Sequence, residues 1–185
     1  MKQSLGSFLS GLMAKNTFSQ AFVAREIGIS RQQLNYIMRD QRDVTLPVAL
    51  KLESLFALQE GAILRVQNDF KIQQYKNEVK QQLFDKLMQA NAFWSYDNVS
   101  IEQLSDELLI EKVFVHLDMD DIAKLFILYH KAYVRKVWQE NMAISGDYLF
   151  DLNVMIALYY FNIKKPEKFL RQQEQKHLKK LLNNA

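Results

Sequence analysis

Residues 19–38 read SQAFVAREIGISRQQLNYIM, and this stretch decides the fold of the N-terminal part of the chain. Ser19 is a typical N-cap for a helix over 20–27, because its hydroxyl accepts a hydrogen bond from an otherwise unpaired backbone N–H. Gly28 ends that helix, since glycine enters the left-handed conformation without steric cost. Ser30, followed three residues later by Gln33, has the form of a capping box, which predicts a second helix over 31–38.

The apolar residues of this stretch predict how the two helices pack. Ala24 is small where the helices must approach closely, and the inward faces are apolar at Val23, Ile27, Ile29, Leu34 and Ile37. This pattern predicts a helix-turn-helix, whose second helix points outward and enters the major groove of DNA. The alternative is a helical hairpin that binds no nucleic acid. The combination of spacings favours DNA binding.

Polar residues of the second helix are candidates for reading bases. Arg31, Gln32 and Asn35 fall on its exposed N-terminal part, flanked by Gln33 and Tyr36. Arginine suits guanine O6 and N7, and glutamine or asparagine suits adenine N6 and N7. A phosphate is the alternative target of Arg31, and capping is the alternative role of Gln33. Candidate phosphate contacts, each with a solvated surface charge as the alternative, are Arg39, Arg42 and Lys51.

Residues 5–72 resemble the lambda-repressor-like helix-turn-helix family. The resemblance rests on FSQ at 18–20, AREIGISRQQLN at 24–35, VALKLESLF at 48–56 and LRVQNDF at 64–70, and the last two stretches are similar to HigA-type antitoxins in particular. It implies a DNA-binding repressor and a phosphate contact at Gln20, where a helix N-terminus favours anions. One departure is Asp40, where the family has Gly or Asn in a left-handed conformation that Asp tolerates.

The composition predicts an all-α protein. Only 5 glycines and 2 prolines occur in 185 residues, which argues against a β-sandwich or barrel. Cysteine is absent, which excludes disulfides and thiol catalysis and fits a reducing cytoplasm. No apolar run approaches the length of a membrane span. We expect no cofactor and no enzymatic site, because the histidines are isolated and no phosphate loop or catalytic triad is present.

Helical periodicity continues through the rest of the chain. A first helix carries an apolar stripe from Leu5 to Met13, and Thr45 with Pro47 opens a fourth. Residues 60–90 form either two helices or one long helix. Later caps are expected at Ser105, Asp120 and the pair Gly146-Asp147, with core positions that include Leu158, and a last basic helix runs from Pro166 to near Leu182. The cluster Asp118, Asp120 and Asp121 is expected to cap helices rather than to bind a metal, since further ligands are missing.

Charge divides the chain into three parts. Residues 1–80 hold 11 Lys and Arg against 7 Asp and Glu, a net charge of +4. Residues 81–160 hold 6 against 12, a net charge of −6, and residues 161–185 hold 7 against 2, a net charge of +5. We predict a DNA-binding domain over 1–75, a connecting helix over 76–92 and a helical partner-binding domain over 93–185.

The C-terminal half is expected to bind a protein and to be dispensable for DNA recognition. It resembles a small helical module encoded beside abortive-infection nucleotidyltransferase toxins, through Phe93–Asp97, Ile110–Val113, Val134–Trp138 and Tyr159–Ile163. Its aromatic residues either fill a core or form an interface: Trp94, Tyr96, Trp138, Tyr148, Tyr159 and Tyr160. We therefore expect a homodimeric repressor of a palindromic operator, the antitoxin of a toxin–antitoxin pair. The alternative is a phage or mobile-element regulator with a ligand-sensing C-terminal domain.

Overall fold

A computed structural model of the protein describes residues 3–94 and 99–183. These residues form α-helices and no β-strand, so the all-α prediction is confirmed. The helices are α1 (Leu5–Asn16), α2 (Gln20–Ile27), α3 (Arg31–Met38), α4 (Leu46–Leu55), α5 (Ala62–Gln89), α6 (Asp106–His116), α7 (Met119–Leu128), α8 (Lys131–Val137), α9 (Phe150–Tyr159) and α10 (Pro166–Asn183). None of the described helices has the length and hydropathy of a membrane span.

Packing divides the chain into two compact units, residues 1–77 and residues 78–185. Of the two alternatives for residues 60–90, the structure shows one continuous helix, α5, and the division between the units falls within it. The core of the first unit is built from α1 to α4 and the start of α5. Side chains from the second half of α5, among them Val79, Leu83 and Leu87, are buried in the core of the second unit.

The core of the second unit surrounds Trp138, which is fully buried. Its indole Nε1 donates to Asn153 Oδ1 at 2.7 Å, and Asn153 Nδ2 donates to the carbonyl oxygen of Met142 at 2.8 Å. Trp138 begins a π-helical turn, Trp138–Met142, that directly follows α8. Asn153 therefore joins α9 to this turn through a buried polar group with both sides satisfied.

Polar contacts hold the remaining helices of the second unit. The hydroxyl of Tyr129 donates to Asp106 Oδ1 at 2.6 Å, and burial together with this bond raises the tyrosine pKa. Asp121 is buried on α7, where its carboxylate accepts from Lys86 Nζ at 2.6 Å and from Lys124 Nζ at 2.8 Å. Burial raises the pKa of Asp121, but the hydrogen bonds from the two lysines outweigh it, and the net shift is downward.

Several predicted helix ends need correction. The side chain of Thr45 makes no cap bond, although Thr45 occupies the N-cap position of α4. The N-cap of α7 is Asp118 rather than Asp120, since Asp118 Oδ1 accepts from the backbone N–H of Asp121 at 2.9 Å. Residues 146–149 form a short 3-10 helix, and α9 begins after it. Leu158, predicted in the core, is 48% exposed.

Non-glycine residues with positive φ follow several of the helices. They lie in the turns after α1, α3, α4, α5 and α9, at Thr17 (54°), Asp40 (56°), Ala57 (51°), Asn91 (52°) and Asn162 (52°). Asparagine and aspartate tolerate this left-handed region through local hydrogen bonds, whereas threonine and alanine are strained in it. The chain thus ends these five helices without glycine, in keeping with its low glycine content.

Candidate DNA-binding surface

The turn between α2 and α3 has the geometry that its sequence predicts. Ser19 Oγ accepts from the N–H of Phe22 at 3.2 Å, and Gly28 takes a φ of 74° at the end of α2. Ser30 Oγ accepts from Gln33 N at 3.1 Å, while Gln33 Oε1 accepts from Ser30 N at 3.0 Å. This is the predicted capping box. It satisfies backbone donors at both sides of the helix start and fixes where α3 begins.

A close contact between α1 and the end of α3 positions the second helix. A Cβ atom at Gly6 would lie 2.0 Å from the carbonyl oxygen of Met38, so only glycine fits there. The N–H of Gly6 also donates to Asp40 Oδ1 at 2.9 Å. Asp40 has the predicted left-handed conformation, and its carboxylate holds the turn after α3 against α1. Sequence reasoning missed Gly6, because its partner lies more than 30 residues away.

Two further side chains brace the domain from α4. Glu53 is buried, and its carboxylate accepts from Gly61 N at 3.0 Å and from Ile63 N at 2.9 Å, which joins α4 to the start of α5. Lys51 Nζ donates to the carbonyl oxygen of Ile27 at 2.9 Å. The bond satisfies a carbonyl at the C-terminus of α2 with one of the three ammonium donors of Lys51. The phosphate contact predicted for this exposed side chain stays a prediction.

One face of α3 is exposed and polar. At about 100° per residue, five of the predicted residues fall within an arc of roughly 140°. They are Arg31, Gln32, Asn35, Tyr36 and Arg39, of which Asn35 is half-buried and the others are exposed. Gln32 Nε2 donates to the hydroxyl of Tyr36 at 3.2 Å, so these two side chains support each other. The opposite face carries Leu34 and Ile37, both buried in the core.

The remaining predicted residues lie apart from this face. Gln33 is half-buried and its side-chain oxygen is held in the capping box, so the capping alternative is the one observed. Arg42 is exposed in the loop after α3, where it lines a shallow cleft together with Gln33 and Ile37. Gln20 is the first residue of α2, where the backbone N–H groups of the first turn have no partner within the helix.

The charge around α3 favours an anionic ligand. None of Arg31, Arg39 and Arg42 forms an ion pair with another residue of the described chain. The acidic residues nearest to α3 in sequence are all engaged: Glu26 pairs with Arg25, Asp40 accepts from the N–H of Gly6, and Asp43 pairs with the ammonium of Lys71. The three arginines are therefore free to contact phosphates or base edges.

The aromatic residues singled out in the second unit divide into two groups. Trp138 is buried, and Tyr160 is half-buried with a hydroxyl that has no hydrogen-bond partner in the described chain. Trp94, Tyr148 and Tyr159 are 79%, 88% and 71% exposed. Phe93 is buried, whereas Tyr96 lies outside the described residues. The core interpretation is thus correct for Trp138 and wrong for Trp94, Tyr148 and Tyr159.

Two residues of the acidic cluster, Asp118 and Asp121, stabilise the fold. Asp118 caps α7 and Asp121 is bound by two lysines, as described above. In residues 3–94 and 99–183, no three side chains of His, Cys, Asp or Glu lie together as a metal-binding group.

The comparison with protein families agrees with this geometry. The helix-turn-helix family matches residues 12–61, from within α1 to the turn before α5. These residues are a lambda-repressor-like helix-turn-helix domain, which implies DNA binding and is typical of sequence-specific transcription regulators. No curated protein and no solved structure shows significant similarity to the chain.

Proposed function

We propose that this chain, built on a helix-turn-helix domain at residues 12–61, is a repressor that reads its operator with α3. The observation that supports this most directly is the exposed polar face of α3, which faces away from the core formed by Leu34 and Ile37. Arg31 is the first residue of the helix and Asn35 lies one turn later on the same face; the N-terminal residues of the second helix contact base edges in this motif. Arg31 would bind guanine, and Asn35 and Gln32 would bind adenine.

Phosphate contacts would fix the register of the domain on the duplex. Gln20 offers the N-terminus of α2, where unpaired N–H groups and the helix dipole attract a phosphate. Arg39 and Arg42 would add charge on the C-terminal side of α3. Such contacts contribute affinity that depends on salt but not on base sequence.

We infer that the protein binds a palindromic operator as a homodimer. One recognition helix reads too few bases to specify a site, and two-fold related helices read half-sites one helical turn, or a multiple, apart. Footprinting should show two related half-sites. Protection of a single asymmetric half-site by one protomer would contradict the dimer.

We assign the second unit to a protein partner, the toxin of a toxin–antitoxin pair. The resemblance of residues 48–56 and 64–70 to HigA-type antitoxins supports this role. So does the net charge of −6 over residues 81–160, which suits a basic partner. The exposed aromatic side chains Trp94, Tyr148 and Tyr159 are of the types most enriched in interface hot spots. Alanine at these three positions should reduce retention of the toxin and leave operator binding intact, with Tyr75→Ala as the exposed aromatic control in the first unit.

A second candidate is a regulator whose C-terminal unit senses a small ligand. It is favoured by an open aromatic cleft of about 410 Å³ lined by Phe126, Tyr129, His130, Lys131, Tyr159 and Tyr160. The volume lies within the range of small-molecule sites. Genes for integration beside this one, rather than a toxin gene, would favour this candidate.

The test of the DNA-reading role compares two arginines on a selected operator and on random duplex DNA. Arg31→Ala should cost roughly 1–3 kcal/mol on the operator and much less on random DNA, because it removes a base contact. Arg42→Ala should weaken both equally and reduce the slope of log K against log salt by about 1. Arg65→Gln is the control for the loss of one positive charge. The guanidinium of Arg65 donates to carbonyl groups within the first unit and is not among the proposed DNA contacts. If Arg31→Ala loses the same binding free energy on the operator and on random DNA, Arg31 contacts a phosphate and does not read a base.

A further inference from the structure

The C-terminal half of α10 borders a cleft of about 530 Å³ in the second unit. The opposite wall is the π-helical turn Trp138–Met142 and the residues after it. From α10 come Lys176, His177, Lys179 and Lys180, and from the π-helical turn come Gln139 and Glu140. The π-helical turn matters here because such turns are frequent at functional sites, where they alter the path of a helix.

The lysines of this cleft are crowded and unpaired. Lys176 has like-charged neighbours three and four residues along the same helix face, at Lys179 and Lys180. Like charges at these spacings destabilise a helix. No ion pair of the described residues involves any of the three, and Glu140 is the one carboxylate among the lining residues. Unpaired lysines along a cleft concentrate positive potential within it, and that potential attracts an anion.

The chemistry of the lining indicates the ligand. Lysine is a compact point charge that suits phosphate oxygens, whereas planar carboxylate recognition favours arginine, and no arginine in the described part of the chain lines the cleft. Among the residues that the structure describes, Ile144 is the one apolar residue that lines the cleft, and none of them offers an aromatic ring there for a base to stack upon. The glutamines and His177 add neutral hydrogen-bonding groups. The lining therefore fits phosphate groups and offers little to a base or an apolar side chain.

We propose that this cleft is a second nucleic-acid contact, in which Lys176, Lys179 and Lys180 bind phosphates of the DNA backbone. It goes beyond the function proposed for α3, because it contributes affinity without reading sequence. Operator recognition stays with the first unit, and the exposed aromatic residues Trp94, Tyr148 and Tyr159 keep their proposed protein partner. The cleft holds the protein on DNA of any sequence, which increases the time available for α3 to find its operator.

The test replaces the three cleft lysines with glutamine in the full-length protein. Binding to random-sequence duplex DNA is measured over a series of salt concentrations. The magnitude of the negative slope of log K against log salt should decrease by roughly 2–3, because each phosphate contact contributes about 0.9 to it. The ratio of operator to random-DNA affinity should stay unchanged. The triple Lys→Arg variant keeps the charge and should keep the slope.

The matched control replaces Lys164, Lys165 and Lys168, which precede or begin α10 and do not line the cleft. It removes the same net charge, so an equal fall in slope for both triple variants would overturn the site in favour of a general charge effect. An unchanged slope for the cleft variant would also overturn it. Inorganic tripolyphosphate is the second probe: if the cleft variant loses tripolyphosphate binding but keeps its DNA slope, the ligand is a free phosphate compound and the backbone assignment is wrong. Lys180→Gln alone, with an expected fall of about 1, tests the same idea with minimal change to the helix.

Discussion

Replacing Gly6 with alanine tests whether the contact between α1 and α3 positions the DNA-reading helix. The added Cβ would lie 2.0 Å from the carbonyl oxygen of Met38 and 2.7 Å from its carbonyl carbon. Real Cβ atoms essentially never come closer than 3.0 Å to such atoms, so α1 and the end of α3 must separate by about 1 Å. Because the obstacle is backbone, no side-chain rotation can relieve it. The separation also stretches the bond from Gly6 N to Asp40 Oδ1, which is 2.9 Å long.

The expected loss is roughly 2–5 kcal/mol. Overpacking of this kind costs about 1–3 kcal/mol. The hydrogen bond to a charged carboxylate contributes about 1.5–3 kcal/mol, and the higher helix propensity of alanine returns about 0.5–1 kcal/mol. Gly11 lies on the same helix, and a Cβ built there meets no atom of the described residues within 4 Å beyond its own chain neighbours and the nearby backbone of α1. Gly11→Ala is therefore the matched control, and it should stabilise the first unit by about 0.5–1 kcal/mol.

The two units can be followed separately in one sample. Trp94 and Trp138 are the only tryptophans, and both lie in the unit 78–185. Tryptophan fluorescence therefore reports unfolding of the second unit, while far-UV circular dichroism reports both. Gly6→Ala should lower the melting temperature of the first transition by at least about 10 °C, leave the fluorescence transition in place and weaken operator binding. If Gly6→Ala is as stable as Gly11→Ala, the close-contact argument is wrong.

Three further predictions concern buried polar groups. Glu53→Gln should destabilise the first unit by roughly 1–3 kcal/mol in chemical denaturation, because the two backbone donors reach different carboxylate oxygens and the amide replaces one of these oxygens with a donor NH2 group; Glu53→Ala should cost more. Asp121 has a lowered pKa, so its contribution to the second unit is present near neutral pH and lost as pH falls through that pKa; Asp121→Asn should flatten the acid limb of the fluorescence-monitored stability curve. Asn153→Leu should shift the emission of Trp138 and destabilise the second unit by about 1–3 kcal/mol; an unchanged spectrum would contradict the bond between them.

Local signals made the helix-turn-helix predictable. The capping interactions of this motif join residues no more than four positions apart, at Ser19, Gly28 and the pair Ser30 and Gln33. A short stretch of sequence therefore contains both partners of each interaction. The bounds of α2 and α3 follow from them and are confirmed. The exposed face of α3 follows in turn, because three buried or half-buried apolar residues in eight fix which way the helix faces.

Features that depend on distant partners could not be predicted in the same way. Gly6 looks like any glycine in a helix until Met38 is placed against it, and Glu53 looks like a surface carboxylate until the N–H groups of Gly61 and Ile63 reach it. The predicted N-cap of α7 was wrong because residues 118–121 contain three aspartates, each of which can cap a helix. Asp118 is the N-cap because Asp121 is buried and paired with its lysines, and this pairing depends on tertiary contacts that the local sequence does not contain.

Backbone strain at the left-handed residues after the helices lowers the free energy of unfolding of the protein. Asp40 gains a hydrogen bond in return for its conformation, but Ala57 has no polar side chain, and Thr17 bonds only to the carbonyl of the residue before it. Strain at such a site is of order 1 kcal/mol, and glycine removes it at the expense of a more flexible unfolded chain. Both positions are exposed and lie outside α3. Glycine at Thr17 and Ala57 therefore offers second-site suppressors, with which variants of the DNA-reading face could be restored to a working stability without altering the contacts under test.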